Sequence, residues 1–209
     1  MDIVVIEHAN GHQIGGIGDL LSPVRAKGIA PDFVSVHVGA SQNFDEICAG
    51  LGALGAGALH GATSCLGVMA NGNMVGADGS AMGCFAIWDP DGSYGTGLAQ
   101  LEDDAYEAGR QAVLSALHAA GRSGEAPDLI WLSAAPGNEE RVLKGIESVV
   151  GTNTPIVGGS AADDDVSGQW RVFDGKAATG GGVVVSVLFP STSLSTAYQS
   201  GYAPASQSG

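Results

Sequence analysis

The chain has 209 residues and a formal net charge of −14, with 8 Lys and Arg against 22 Asp and Glu. So few basic residues argue against nucleic acid and anionic membrane surfaces as partners, since both demand clustered Lys and Arg. The length suits one substantial core, no apolar run is long enough to span a bilayer, and no basic flank marks a signal peptide, so a single cytoplasmic domain over residues 1–209 is expected.

Residues 2–7 read as a strand, followed by a glycine-rich turn region and a helix from Asp19 to Lys27. Pro23 falls in the first turn of that helix, where its missing N–H does little harm. Phe33 to Val38 alternates apolar with small or polar residues between Pro31 and Gly39, which predicts a strand. Apolar residues at 44, 47, 48, 51 and 54 predict a helix with one buried face. A short strand then enters the loop Gly61-Ala62-Thr63-Ser64-Cys65. Asn71-Gly72 predicts a hairpin, because a type I′ turn needs positive φ at both central residues. Strands follow over 81–88 and 93–101, separated by the turn sequence DPDG.

The next helix spans 103–120, with Asp103, Asp104 and Glu107 where the helix dipole favours acids and Gly121 where the helix stops. Leu129 to Ala134 reads as a strand, Pro136-Gly137-Asn138 opens a helix to Val150, and Thr154 to Gly158 is again a strand. A hairpin around Asp174-Gly175, a strand over 182–189 and an extended piece to Tyr202 complete the pattern. Residues 204–209 are expected as a disordered tail.

The two halves name the same elements in the same order. This predicts two copies, about 1–101 and 102–203, of an α-β-α-β-β-β unit related by a pseudo-two-fold. The expected class is α/β, with mixed sheets face to face and helices packed outside. Pro155 to Asp165, PIVGGSAADDD, is the stretch on which the copies turn: a strand stopping at two glycines brings backbone close to whatever lies at its end. Ala58 to Gly67, ALHGATSCLG, is its counterpart.

GGSAADD, the W-x-V-F-D-G hairpin after it, the strand GGVVVSVLF and the terminal SGYAP together resemble the N-terminal half of the FIST family, sensory domains of bacterial signal-transduction proteins. The resemblance runs from about Pro31 to Pro204. It departs from the family at GATSCLG, which stands for a GCSTxGE-like loop and has Gly67 where an acid is usual, and in lacking a separate C-terminal half. The resemblance implies a small-molecule-binding module, with amino acids or related metabolites as ligands. A FIST C-terminal domain or a signalling protein is the implied partner. A subset of the family binds haem and responds to nitric oxide.

The residues predict a ligand site from Thr63, Ser64, Cys65, Asn138, Gly158, Gly159, Ser160, Asp163 and Asp164. Bare N–H groups of glycine-rich turns suit a carboxylate, and aspartates suit an ammonium group. Asn138 and Gln42 follow the first strand of each copy, and helix N-termini near Asn43 and Asn138 add positive partial charge there. Three alternatives stand beside this reading. Cys65, with His37 or His60 as base, would make a Cys- or Ser-dependent acyl hydrolase or transferase. His37 or His60 would hold a non-covalent haem, since no C-x-x-C-H motif occurs. A protein-interaction domain with a vestigial pocket is the last. The reading favours a non-catalytic sensor without a cofactor. No metal is expected either, because the aspartate run lacks EF-hand spacing and Cys48, Cys65 and Cys84 lack C-x-x-C spacing.

Overall fold

A computed structural model describes residues 1–8, 16–70, 73–76, 80–102 and 104–197. The Asn71-Gly72 turn, His12, Asp103, the SGYAP segment and the expected tail lie outside the described residues. In chain order the strands are β1 (Asp2–His8), β2 (Phe33–Val38), β3 (Ala58–Thr63), β4 (Val68–Ala70), β5 (Asn73–Val75), β6 (Met82–Trp88), β7 (Ser93–Gln100), β8 (Leu129–Ala134), β9 (Ile156–Ser160), β10 (Val172–Phe173), β11 (Ala178–Thr179) and β12 (Gly182–Phe189). The helices are α1 (Ile17–Leu20), α2 (Ser22–Arg25), α3 (Phe44–Gly52), α4 (Ala105–Ala119) and α5 (Glu139–Val150).

The strands form two mixed sheets, in the orders β1-β6-β2-β3-β10-β11 and β7-β12-β8-β9, and β4 and β5 make a separate ribbon. In each sheet one parallel pair, β2 with β3 and β8 with β9, carries an antiparallel neighbour on its other side, β6 or β12. Alternation along β2 explains the layering. Val34, Val36 and Val38 join Ile47 and Leu51 of α3 in one core, while Phe33 turns the other way onto Leu129 and Leu188 of the facing sheet. On the second sheet, Val183, Val185 and Val187 pack against Ala112, Val113 and Ala116 of α4 and Val142 and Ile146 of α5. Helix α4 lies close enough that a Cβ on Gly97 would sit 2.2 Å from the Ala112 carbonyl oxygen. The expected α/β class, with mixed sheets and helices outside, is what the chain adopts.

Two local differences have physical causes. The helix expected over 19–27 breaks at Leu21 into α1 and α2, because Pro23 has no N–H to give the carbonyl four residues back. Strand β7, expected in the first unit, pairs with β12 along its whole length and so belongs to the second sheet. Helices α3 and α4 begin as the sequence suggests: Asn43 accepts N–H bonds from Asp45 and Glu46, and Asp104 from Tyr106 and Glu107, each satisfying donors the helix leaves open. Among the described residues, no helix is long and apolar enough to cross a membrane.

Candidate functional site

The parallel pairs point their carboxyl ends the same way, and the loops that leave them are tied to one another. Past β3, the Ser64 N–H donates to the Val38 carbonyl at 2.8 Å, and past β9 the Ala161 N–H donates to the Ala134 carbonyl at 2.8 Å. Two bonds then cross between the loops: the Ala162 N–H donates to the Thr63 carbonyl at 3.2 Å, and the Leu66 N–H to Asp164 Oδ1 at 2.6 Å. Between the loops lies a hollow of about 190 Å³, lined on one side by Thr63, Ser64 and Cys65 and on the other by Gly158, Gly159 and Ser160. His37, Trp131 and Ser133 form its floor. A second hollow of about 220 Å³ shares His37, Ser64 and Trp131 and extends over Val5, Met69 and Phe85.

Gly158 is required where it stands. Its φ of 139° is unfavourable for other residues, and a Cβ there would lie 1.8 Å from the Leu132 carbonyl oxygen. Gly159 is different: nothing lies within 4 Å of the place its Cβ would occupy.

Beneath the hollow runs a polar network between two otherwise apolar faces. His60 is 0% exposed, with Nε2 at 2.9 Å from Ser133 Oγ and Nδ1 at 3.0 Å from Ser186 Oγ. Ser186 Oγ lies 2.7 Å from Thr96 Oγ1. The imidazole is satisfied on both sides, as a buried polar group must be. Burial, and then the neighbouring His37, push its pKa well below the usual range. Burial alone lowers His37 to about 4, so both rings are neutral in ordinary solution. Trp131 packs edge-on to Phe85 with ring centroids 5.0 Å apart. Its buried indole N–H has no hydrogen-bond partner among the described residues.

The predicted residues therefore divide. Thr63, Ser64, Cys65, Gly158, Gly159 and Ser160 come together around one hollow. Several of their polar groups are already engaged. Thr63 Oγ1 accepts the Arg171 N–H, Ser64 Oγ donates to the Gly67 carbonyl, and Ser160 Oγ donates to Glu139. The Ser160 hydroxyl, with the Gly137 N–H, holds the Glu139 carboxyl below its usual range. Asp163 and Asp164 line a separate depression with Asp165 and Gln169. Asp163 Oδ2 accepts the Gln169 N–H at 2.7 Å, so these acids tie turns together. Asn138 stands at the start of α5 without a capping bond from its side chain, away from both hollows.

Neither histidine is placed as the alternatives require. His60 has both ring nitrogens taken by serines, so it is neither a base for Cys65 nor a haem ligand. His37 reaches the hollow, but with Nε2 3.3 Å from Ser35 Oγ. Each hollow is smaller than the ~300 Å³ at which pockets for drug-sized ligands begin, and a haem is larger still. No group of three or more His, Cys, Asp or Glu able to hold a metal ion occurs among the described residues.

Trp131, Ser133, Ser186 and Thr96 were not singled out by the sequence. Their signal was there: in LIWLSA and GVVVSVLF, a serine interrupts an apolar strand on the face that period-two alternation sends inward.

Comparison with known proteins bears on the family. No curated protein matches the chain. Among solved structures, cyanuric acid hydrolase from A. caulinodans aligns over 93% of this chain and 68% of its own, at 13% identity and a TM-score of 0.48. The FtsZ dimer of M. jannaschii aligns over 52% of this chain and 34% of its own, at 16% identity and a TM-score of 0.27. The family model of the FIST N domain matches residues 32–209, most of the chain, and the chain belongs to the FIST N domain family.

Proposed function

We propose that this domain senses a small molecule for a cytoplasmic signal-transduction protein, and that the ligand sits between the carboxyl ends of β3 and β9. One observation carries the reading: loops from two different sheets, both rich in glycine and hydroxyls, converge on one hollow that is also lined by Trp131, whose buried indole N–H has no partner among the described residues. Membership of a family of sensory domains supports it. A free amino acid is a poorer ligand than the sequence implied, because Asp163 and Asp164 accept backbone N–H groups and stand outside the hollow. We also read the domain as two copies of one unit that meet between β6 and β7, since the pairings around β2 recur around β8.

Gly159→Leu tests the site. The position has open space and no strained φ, so the side chain enters the hollow while the fold stands. In a thermal-shift screen of cytoplasmic metabolites, a ligand that binds only the folded form raises the melting temperature of the parent. The variant should keep its own melting temperature within about 2 °C, because surface changes are small in energy, and should lose the ligand's increment. A ligand that stabilises both proteins equally would place binding elsewhere.

A hydrolase reading has one observation in its favour, the 2.9 Å approach of Ser133 Oγ to His60 Nε2 beside the hollow. It moves the nucleophile from Cys65 to Ser133. Covalent labelling of Ser133 by a fluorophosphonate would support it, and an unlabelled protein would remove it.

A further inference from the structure

The lining of the two hollows says what kind of molecule they accept. Among the described residues, no Asp, Glu, Lys or Arg lines either one. Of the ionised groups near it in sequence, Glu7 on β1 stands opposite Gly83 with one buried carboxylate oxygen that has no partner among the described residues, and does not line the cleft, while three others are occupied elsewhere. Asp164 accepts the Leu66 N–H, Glu139 accepts the Ser160 hydroxyl and the Gly137 N–H, and Arg171 donates from Nη1 to the Trp170 carbonyl. The one titratable ring on the floor, His37, is neutral because burial lowers its pKa to about 4. An ion entering this cleft would lose water and meet no opposite charge in the lining, a transfer that costs far more than for a neutral polar group.

What the cleft does offer is flat apolar surface and neutral polar atoms. Trp131 and Phe85 meet edge to face, and Val5 and Met69 extend that surface. The Trp131 indole is a donor without an acceptor among the described residues, a state that buried polar groups rarely keep. A hollow of about 190 Å³ holds roughly six waters at ~30 Å³ each, the room of a single substituted ring.

We propose that the cleft takes an uncharged, ring-sized molecule laid against Trp131, with a carbonyl-type acceptor bonded to the indole N–H. The inference rests on the sensing site proposed above and narrows its ligand.

Three probes of one shape and different charge test it: benzamide, benzoate, and benzylamine, which is an ammonium ion in neutral solution. The readout is the indole N–H cross-peak of Trp131 in an NMR titration of the full chain, assigned by its loss in Trp131→Phe. Benzamide shifts this peak saturably and binds at least about tenfold more tightly than either ion, the ratio expected when a buried charge finds no partner. Trp131→Phe, which keeps an aromatic ring but removes the donor and the smaller ring that carries it, weakens benzamide about tenfold as read by its melting-temperature increment. Benzoate or benzylamine binding at Trp131 as tightly as benzamide would overturn the neutral-ligand inference and leave the sensing site standing. A Trp131 peak that none of the three moves would overturn both.

Discussion

His60 shows how much of this molecule rests on single polar atoms. It lies between two apolar sheet faces with one serine hydroxyl on each ring nitrogen. His60→Ala would leave a cavity, strip Ser133 of its imidazole partner and leave Ser186 with Thr96 alone, so it should destabilise the fold by about 3 kcal/mol, read by urea denaturation. The double variant Ser133→Ala with Ser186→Ala leaves the imidazole itself unpaired and should cost a similar amount, whereas a purely volume-driven effect would spare it. The same neutral rings set a pH dependence. An unfolded histidine takes its proton near 6.5, but His37 in the folded chain does so only at about 4, and His60 is also shifted downward. Between those values the unfolded chain binds more protons, so stability is complete above about 6.5 and falls as pH drops toward 4. The carboxylates of Asp89 and Glu139, held below their ordinary range, add losses only at lower pH. At Asp89, burial works against ionisation and is outweighed by donors from Ser191 and Tyr94. Urea midpoints for His37→Asn should therefore fall less steeply between 6.5 and 4 than those of the parent. An unchanged slope would assign the loss to other groups.

At the scale of elements, the loop after β9 separates what sequence can say from what it cannot. Strand β9 runs from Ile156 through both glycines to Ser160, whereas the sequence predicted a strand over Thr154 to Gly158 that stops at the glycines. It treated Gly158 and Gly159 as equivalent, yet one is locked by φ and by the Leu132 carbonyl and the other faces open space. The two alanine substitutions should differ accordingly. Gly158→Ala forces β9 away from β8 and should cost about 2–4 kcal/mol, while Gly159→Ala should stay within about 0.5 kcal/mol of the parent, both by chemical denaturation. Equal costs would contradict the pairing of β8 with β9. The bonds of the aspartate run could not be read from the sequence for a related reason. Its use depends on a Leu66 N–H that lies 98 residues away in the chain, and no local pattern reveals which donor the fold brings opposite a carboxylate. Local signals did better wherever the physics was local, as at the Asn43 cap. Trp131 and Ser133 escaped notice because a residue on a buried strand declares its face, not what the opposite sheet sets against it.

For the whole molecule, the element order was legible and the membership of the sheets was not, because strand pairing is decided by partners distant in sequence. A division at 101 and 102 would split β7 from its partner β12, and one between β6 and β7 still leaves the first sheet incomplete. Strands β10 and β11 come from beyond β9 and extend that sheet at β3, with Val172 opposite Ala62 and Phe173 opposite Gly61. The halves also share buried polar bonds: His60 reaches Ser133 and Ser186, and Asp89 takes the Ser191 N–H at 2.8 Å together with the Ser191 hydroxyl. A fragment ending at Gly92 would bare Phe33 and Ile87 to water and lose the ring of Phe173, which is fully buried in the first core. Burial of such side chains contributes about 1.5–3 kcal/mol each, a large part of the margin of any domain this size. Expressed alone, residues 1–92 and 93–209 should each give the collapsed NMR dispersion of an unfolded or molten chain, and mixing them should restore the spectrum of the intact protein. A dispersed spectrum from either fragment by itself would show that the two sheets are separately stable, and that the polar contacts across their interface join finished units.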